Sequence, residues 1–215
     1  GGIIETPEYV WNVSKSGQRA EVDAPKGSAV RRFMPVTEGN LDEYLTGGWL
    51  ASTDAFCSPT VVPDADLPKY LGKVDDGGGH FRWRFEYSRA QLEAILREKL
   101  FGKYLDSSTP AMAALKDLRV LRRGLSGRAA DLEVEYLDAA GKSHCVKVET
   151  EYRIRDCLHE KFLYSSAFKI EMQRDSQGLP SKITLVGAGW GHGAGLCQIG
   201  ALGMAMRGYT CEQIL

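Results

Sequence analysis

A chain of 215 residues, 43% of them hydrophobic, is long enough to bury a sizeable core, which excludes global disorder. Its 27 basic and 28 acidic residues leave a formal net charge of -1, so no overall field recruits nucleic acid or an anionic surface, and no nucleic-acid partner is expected. No run approaches the roughly 18 consecutive apolar residues that a bilayer span needs. No charged-then-apolar leader follows Gly1-Gly2, and the chain is read as a fragment of a longer one.

Residues 1–79 lack strong periodicity and carry most of the chain's eight prolines, in turn-rich segments such as "DAPKG" and "CSPTVVPDADLPKY". This punctuation predicts short strands and turns packed onto a larger unit. "VDDGGGH" at 74–80 reads as a loop or boundary, dividing the chain into 1–79 and 80–215. Phe81, Trp83 and Phe85 then alternate with Arg82, Arg84 and Glu86, the period of a half-buried strand. Ser88 and Gln91 fit a capping box, and Leu92, Ile95, Leu96 and Leu100 recur at helical spacing over about three turns.

A β-meander is predicted over 118–148. Val120 and Leu121 run into a Gly124/Gly127 turn; Leu132, Val134 and Tyr136 alternate with Glu133 and Glu135; "DAAGK" turns the chain, and Val146 and Val148 return it. One charged face implies a sheet covered on one side. Glu149 and Glu151 in "VETEY", like Glu38 in "VTEG", read as solvated carboxylates. "SKITLVGAG" is a short strand, and "AGLCQIGALGMAMRG" a small-residue helix ended by Gly208 as a left-handed cap. Thr210 and Gln213 form a further capping box. The resulting fold class is α+β with antiparallel strands.

Cys57, Cys145, Cys157, Cys197 and Cys211 show no CxxC spacing and no histidine placed to complete a zinc knuckle. They read as small packing residues, with one disulfide left open for an exported protein. No metal and no cofactor is expected.

The stretch "GAGWGHGAGLCQIGA" at 187–201 lies between a predicted strand and a helix N-terminus, where backbone N–H groups hold anions. No register of it satisfies GxGxxG, and no Gly-Lys-Ser/Thr follows, so nucleotide binding is set aside. Cys197, five residues after His192, suggests a thiol–imidazole nucleophile; its expected place inside the helix favours packing instead. Gly189, Gly191 and Gly193 remove side chains from both sides of Trp190 and His192. A tryptophan beside polar groups on a glycine shelf suits a carbohydrate or peptide groove.

"GWGHGAGLCQIGALGMAMRGYTCEQIL" closely resembles the C-terminal signature of the SpoIID/LytB family, the stage II sporulation protein D and amidase-enhancer group, with Cys197 where that signature usually has serine. "RVLRRGLSGRAADLEV", "RIRDCLHEKFLYSSAFKIE", and "YLGKVDD" with "FRWRF" resemble other family segments in the same order, so the resemblance spans about 68–215. It implies a SpoIID-like α+β fold in an exported bacterial cell-envelope protein. The implied activity is that of a peptidoglycan lytic transglycosylase acting on denuded glycan strands; the alternative is a non-catalytic glycan-binding module or amidase enhancer, with a cell-wall amidase as partner. His192 and Gln198 take the catalytic positions beside the sugar or its leaving oxygen, and Trp190, Gly191, Gly193 and Arg128 the substrate-binding ones. Arg123 and Arg128 of "RRGLSGR" also read as turn and sheet-edge residues, and both are candidates for contacts with wall carboxylates. The family's acid, a glutamate on an upstream helix, has no counterpart in the sequence; the histidine and cysteine ligands of its zinc-binding members are absent too.

Overall fold

The computed structural model describes residues 2–11, 13, 18–47, 54–72, 79 and 81–215; the 74–80 loop, apart from Gly79, lies outside them. The fold is α+β with antiparallel sheets. A two-stranded ribbon pairs β1 (Ile3–Ile4) with β2 (Glu21–Val22), and the short helix α1 (Pro7–Trp11) lies between them in sequence. Two three-stranded sheets follow. One is β3 (Arg82–Ser88), β8 (Pro180–Ala188) and β7 (Phe168–Arg174), in the order β3-β8-β7; the other is the meander β4 (Ala114–Arg123), β5 (Ala129–Leu137) and β6 (Ser143–Glu149).

The meander forms because its apolar residues alternate. Leu118 pairs with Val134, Val120 with Leu132 and Leu115 with Tyr136, and Leu115, Leu118, Leu132, Val134, Tyr136 and Val148 are all buried. Charged residues occupy the opposite face, where Arg119 pairs with Glu133 and Lys116 with Glu135, each at 2.6 Å. Such cross-strand pairs on an exposed face add only about 0.2–1 kcal/mol each. Burial of the other face holds the sheet.

On β3, Trp83 and Tyr87 are buried and Phe85 half-buried, as the alternation predicts. The strand hands directly to α2 (Arg89–Leu96): Ser88 Oγ accepts from Gln91 N, and Gln91 Oε1 accepts from Ser88 N, the reciprocal bonds of the capping box. Leu92, Ile95, Leu96 and Leu100 enter the main core with Leu158, Leu163, Phe168, Ile183 and Leu185.

Two elements escaped the pattern, β7 and the helix α3 (Glu151–Cys157). Thr150 takes a left-handed φ of +73° and its hydroxyl accepts from Arg153 N, so the chain turns out of β6 into a helix where alternation suggested more strand. Glu151 is consequently buried against Arg155, and its reading as a solvated strand residue is corrected.

Described residues from before position 80 pack at the end of the β3-β8-β7 sheet that carries Phe81 and Ala188. Ile3, Val30, Phe33, Val36, Leu41 and Tyr44 form a second core with Phe81 and Ala188. Near the C-terminus, α4 (Gln198–Met206) ends where Gly208 turns left-handed at φ +81°, and Thr210 and Gln213 box the start of α5 (Cys211–Ile214). No helix among the described residues is long and apolar enough to cross a membrane.

Candidate functional site

The segment between β8 and α4 is set by glycine. Gly189, Gly191, Gly193 and Gly195 have φ of +77°, +88°, +79° and +79°, a region L side chains rarely enter. Every second residue therefore reverses the chain locally, which displays the residues between. Backbone bonds pin the path to three other segments: Gly189 N donates to Phe81 O (3.0 Å), Gly191 N to Tyr164 O (2.8 Å), and Gly193 O accepts from Glu5 N (2.8 Å).

Trp190 stays 49% exposed. The His192 ring stands 5.1 Å from that of Trp11, and its Nδ1 accepts from Ala194 N at 3.1 Å, which leaves Nε2 to carry the proton of the neutral ring. Partial burial pushes the His192 pKa below its ordinary value; Glu151 opposes that shift, and Arg128 and Arg155 reinforce it.

These residues border a cavity of about 300 Å³. It brings together all six positions singled out from the sequence: Trp190, Gly191, His192, Gly193, Gln198 and Arg128. Arg128 is no exposed sheet-edge residue, since it is only 5% exposed. Its Nη1 donates to Ile3 O (3.2 Å) and Ser126 Oγ (2.9 Å), and its guanidinium lies directly under Gly193, where a Cβ would come within 2.0 Å of Cζ. Arg123 instead holds the Gly127 and Phe168 carbonyls and pairs with the exposed Glu38.

The buried Glu5 joins the N-terminal strand to this segment. Its Oε2 accepts from both the backbone N and the hydroxyl of Ser126 (2.8 and 2.7 Å), and its Oε1 from Thr6 N (2.8 Å). Both oxygens are thus engaged by internal donors, so Glu5 acts as an anchor.

Cys197 does not lie inside the helix. The left-handed glycines delay α4 to Gln198, making Cys197 its N-cap, with Sγ accepting from Gly200 N at 3.3 Å. Cys57 and Asp23 come beside it, and all three line the cavity. Gly200 and Gly203 let the helix sit close: a Cβ at these positions would fall 2.2 Å from Asp23 Oδ2 and 2.0 Å from Phe56 O. Burial, reinforced by Cys57, pushes the Asp23 carboxyl up to about 7. The hydrogen bond between the two thiols pushes the Cys57 pKa down and the Cys197 pKa up, the latter reinforced by burial. Local spacing gave no hint of Glu5, Asp23 or Cys57, because each meets the site only through tertiary packing.

A family model described as a domain of unknown function, DUF8618, matches residues 65–195, more than half of the chain. No curated protein matches it.

Proposed function

We propose that this chain, which belongs to the DUF8618 family, is a peptidoglycan-binding domain of SpoIID/LytB type in an exported bacterial cell-wall protein, and that its cavity holds a denuded glycan strand. The observation that carries the reading is the half-exposed Trp190 ring beside His192 on a shelf of glycine backbone, at the edge of a cavity of about 300 Å³. A sugar ring presents an apolar face to an indole and hydroxyls to the groups around it, and this rim offers both. Gln198, exposed on the first turn of α4, and the neutral His192 supply the polar contacts. The buried Arg128 cation beneath Gly193 favours the muramoyl carboxylate.

Cleavage by transglycosylation needs a protonated carboxyl at the glycosidic oxygen, after which the muramoyl C6 hydroxyl attacks C1 and closes the anhydro ring. Glu5 is unsuited to give that proton because internal donors hold both its oxygens. This reading therefore assigns the chain glycan binding rather than cleavage: the one cavity carboxyl with a raised pKa among the described residues, Asp23, sits against Cys57 and Cys197.

The test is co-sedimentation of the chain with denuded glycan strands, beside Trp190→Ala and His192→Ala. Loss of the indole face should weaken binding roughly tenfold, the upper end of an aromatic contact's worth, with melting unchanged. Equal binding by all three proteins would sink the groove assignment. Anhydromuramic products from this chain alone would overturn the argument about the acid.

A further inference from the structure

The cluster behind the glycine shelf is not explained by a glycan. Asp23 from the N-terminal ribbon, Cys57 from the following turn region and Cys197 from the cap of α4 bring one carboxylate oxygen and two sulfurs within 4.8 Å of one another. Packing accounts for the buried Cys57 thiol and the half-buried Cys197 thiol. It does not account for the carboxylate: Asp23 Oδ2 is fully buried and has no hydrogen-bond partner, and an unsatisfied buried oxygen carries a desolvation cost of about 1–3 kcal/mol or more. The glycine at position 200 makes room for it, and Gly200 N donates to Cys197 Sγ, the kind of outer bond that steadies a ligating sulfur.

We propose that Asp23, Cys57 and Cys197 form a zinc-binding site in the wall of the cavity. Two sulfurs with one carboxylate oxygen select a thiophilic divalent ion over magnesium or calcium. Tetrahedral zinc, with bonds of about 2.3 Å to sulfur and about 2.0–2.2 Å to oxygen, sets its ligands roughly 3.5–3.8 Å apart. Closing the cluster from within 4.8 Å takes side-chain movements of about 1 Å or less. All three ligands line the cavity, so a fourth position is filled from the cavity side by water or by an oxygen of its occupant. Three protein ligands and one exchangeable position make this an open site, unlike the closed four-ligand knuckle. The ligands come from segments far apart in sequence, so metal binding also fastens the N-terminal region to α4.

The experiment uses the whole chain, reduced and stripped of metal, titrated with Zn²⁺ and separately with Co²⁺ as a spectroscopic stand-in. One ion per chain is expected, with thiolate-to-cobalt charge-transfer bands and the strong visible absorption of tetrahedral Co²⁺. Cys57→Ser, Cys197→Ser and Asp23→Asn should each weaken binding by at least about 100-fold, the upper end of what losing even an outer partner costs. Cys145→Ser and Cys211→Ser, both exposed, should leave it unchanged. Should a ligand variant fail to fold, the spectrum of the Cys145→Ser/Cys211→Ser protein decides: absence of thiolate-to-cobalt bands at saturating Co²⁺ overturns the site. Metal binding is read without glycan, so failure of the groove and failure of the metal site are separate outcomes.

Discussion

Gly191 and Gly193 share nearly the same backbone, φ +88° and +79°, but not the same surroundings. An added Cβ meets nothing within 4 Å at Gly191, whereas at Gly193 it falls 2.0 Å from Arg128 Cζ. Gly191→Ala therefore carries only the left-handed penalty, about 1–2 kcal/mol. Gly193→Ala carries the same penalty and must also push aside a buried guanidinium that donates to Ile3 O and Ser126 Oγ. Losing one such charged hydrogen bond costs about 1.5–3 kcal/mol, so the total is about 3–5 kcal/mol. That is a large part of the 5–15 kcal/mol typical of a folded domain.

Urea unfolding followed by circular dichroism measures both variants, and the quantity of interest is the difference of about 2–3 kcal/mol between them. In an Arg128→Ala background the difference should vanish, because the clash and the bonds vanish together. Equal destabilisation by the two alanines in the native background would refute the claim that the shelf rests on Arg128.

Two further outcomes follow from the charges around the cavity. Glu151 and Arg155 form a buried pair at 2.9 Å, so Glu151→Gln leaves a buried cation unpaired and should cost about 3–5 kcal/mol by urea unfolding. It also removes the charge that supports the His192 imidazolium, so the His192 pKa, followed by NMR, should fall further below its ordinary value; a constant or rising pKa contradicts the coupling. In metal-free protein Asp23 titrates near 7 rather than 3.8, so between those values the folded chain keeps a proton that the unfolded chain releases. The stability from this group is full below about pH 4 and lost as pH rises to about 7, a change of up to about 4 kcal/mol. The advantage of Asp23→Asn over the native chain in metal-free buffer should grow across that window; a constant difference in unfolding free energy rules the assignment out.

The sheets were legible where one physical signal dominated. Leu132, Val134 and Tyr136 alternate with Glu133 and Glu135, and the register follows; Ser88 with Gln91 and Thr210 with Gln213 mark helix starts because the capping bonds are local. The helix Glu151–Cys157 was hidden because it begins at a threonine in a left-handed conformation, which no residue-type preference announces. The start of α4, and with it Cys197, was misplaced by four residues for a related reason. Read by composition, "AGLCQIGA" continues a small-residue helix, but the positive φ of Gly193 and Gly195 keeps the chain out of the helix until Gln198 and turns the cysteine into a cap. Arg128 looked like a sheet-edge cation, and its burial depends on Ile3, more than a hundred residues away in sequence.

The N-terminal region is thus part of the site. Ile3 O accepts from Arg128 and Glu5 from Ser126, Trp11 stands against His192, and Asp23 and Cys57 meet Cys197. The family match at 65–195 contains Arg128, Ser126 and all four left-handed glycines of the shelf, but none of those five N-terminal residues, nor Cys197 and α4. What that span holds alone is the sheet framework and the buried groups that need partners. Without Glu5, the Ser126 amide and hydroxyl lose their acceptor, and without Ile3 the buried Arg128 loses its carbonyl. The glycine shelf keeps the backbone low enough for Arg128 to lie beneath it, and the N-terminal ribbon closes the far side. The cavity exists only where the two meet, so its chemistry belongs to the assembled chain rather than to the "GWGHGAG" motif that first draws attention to it.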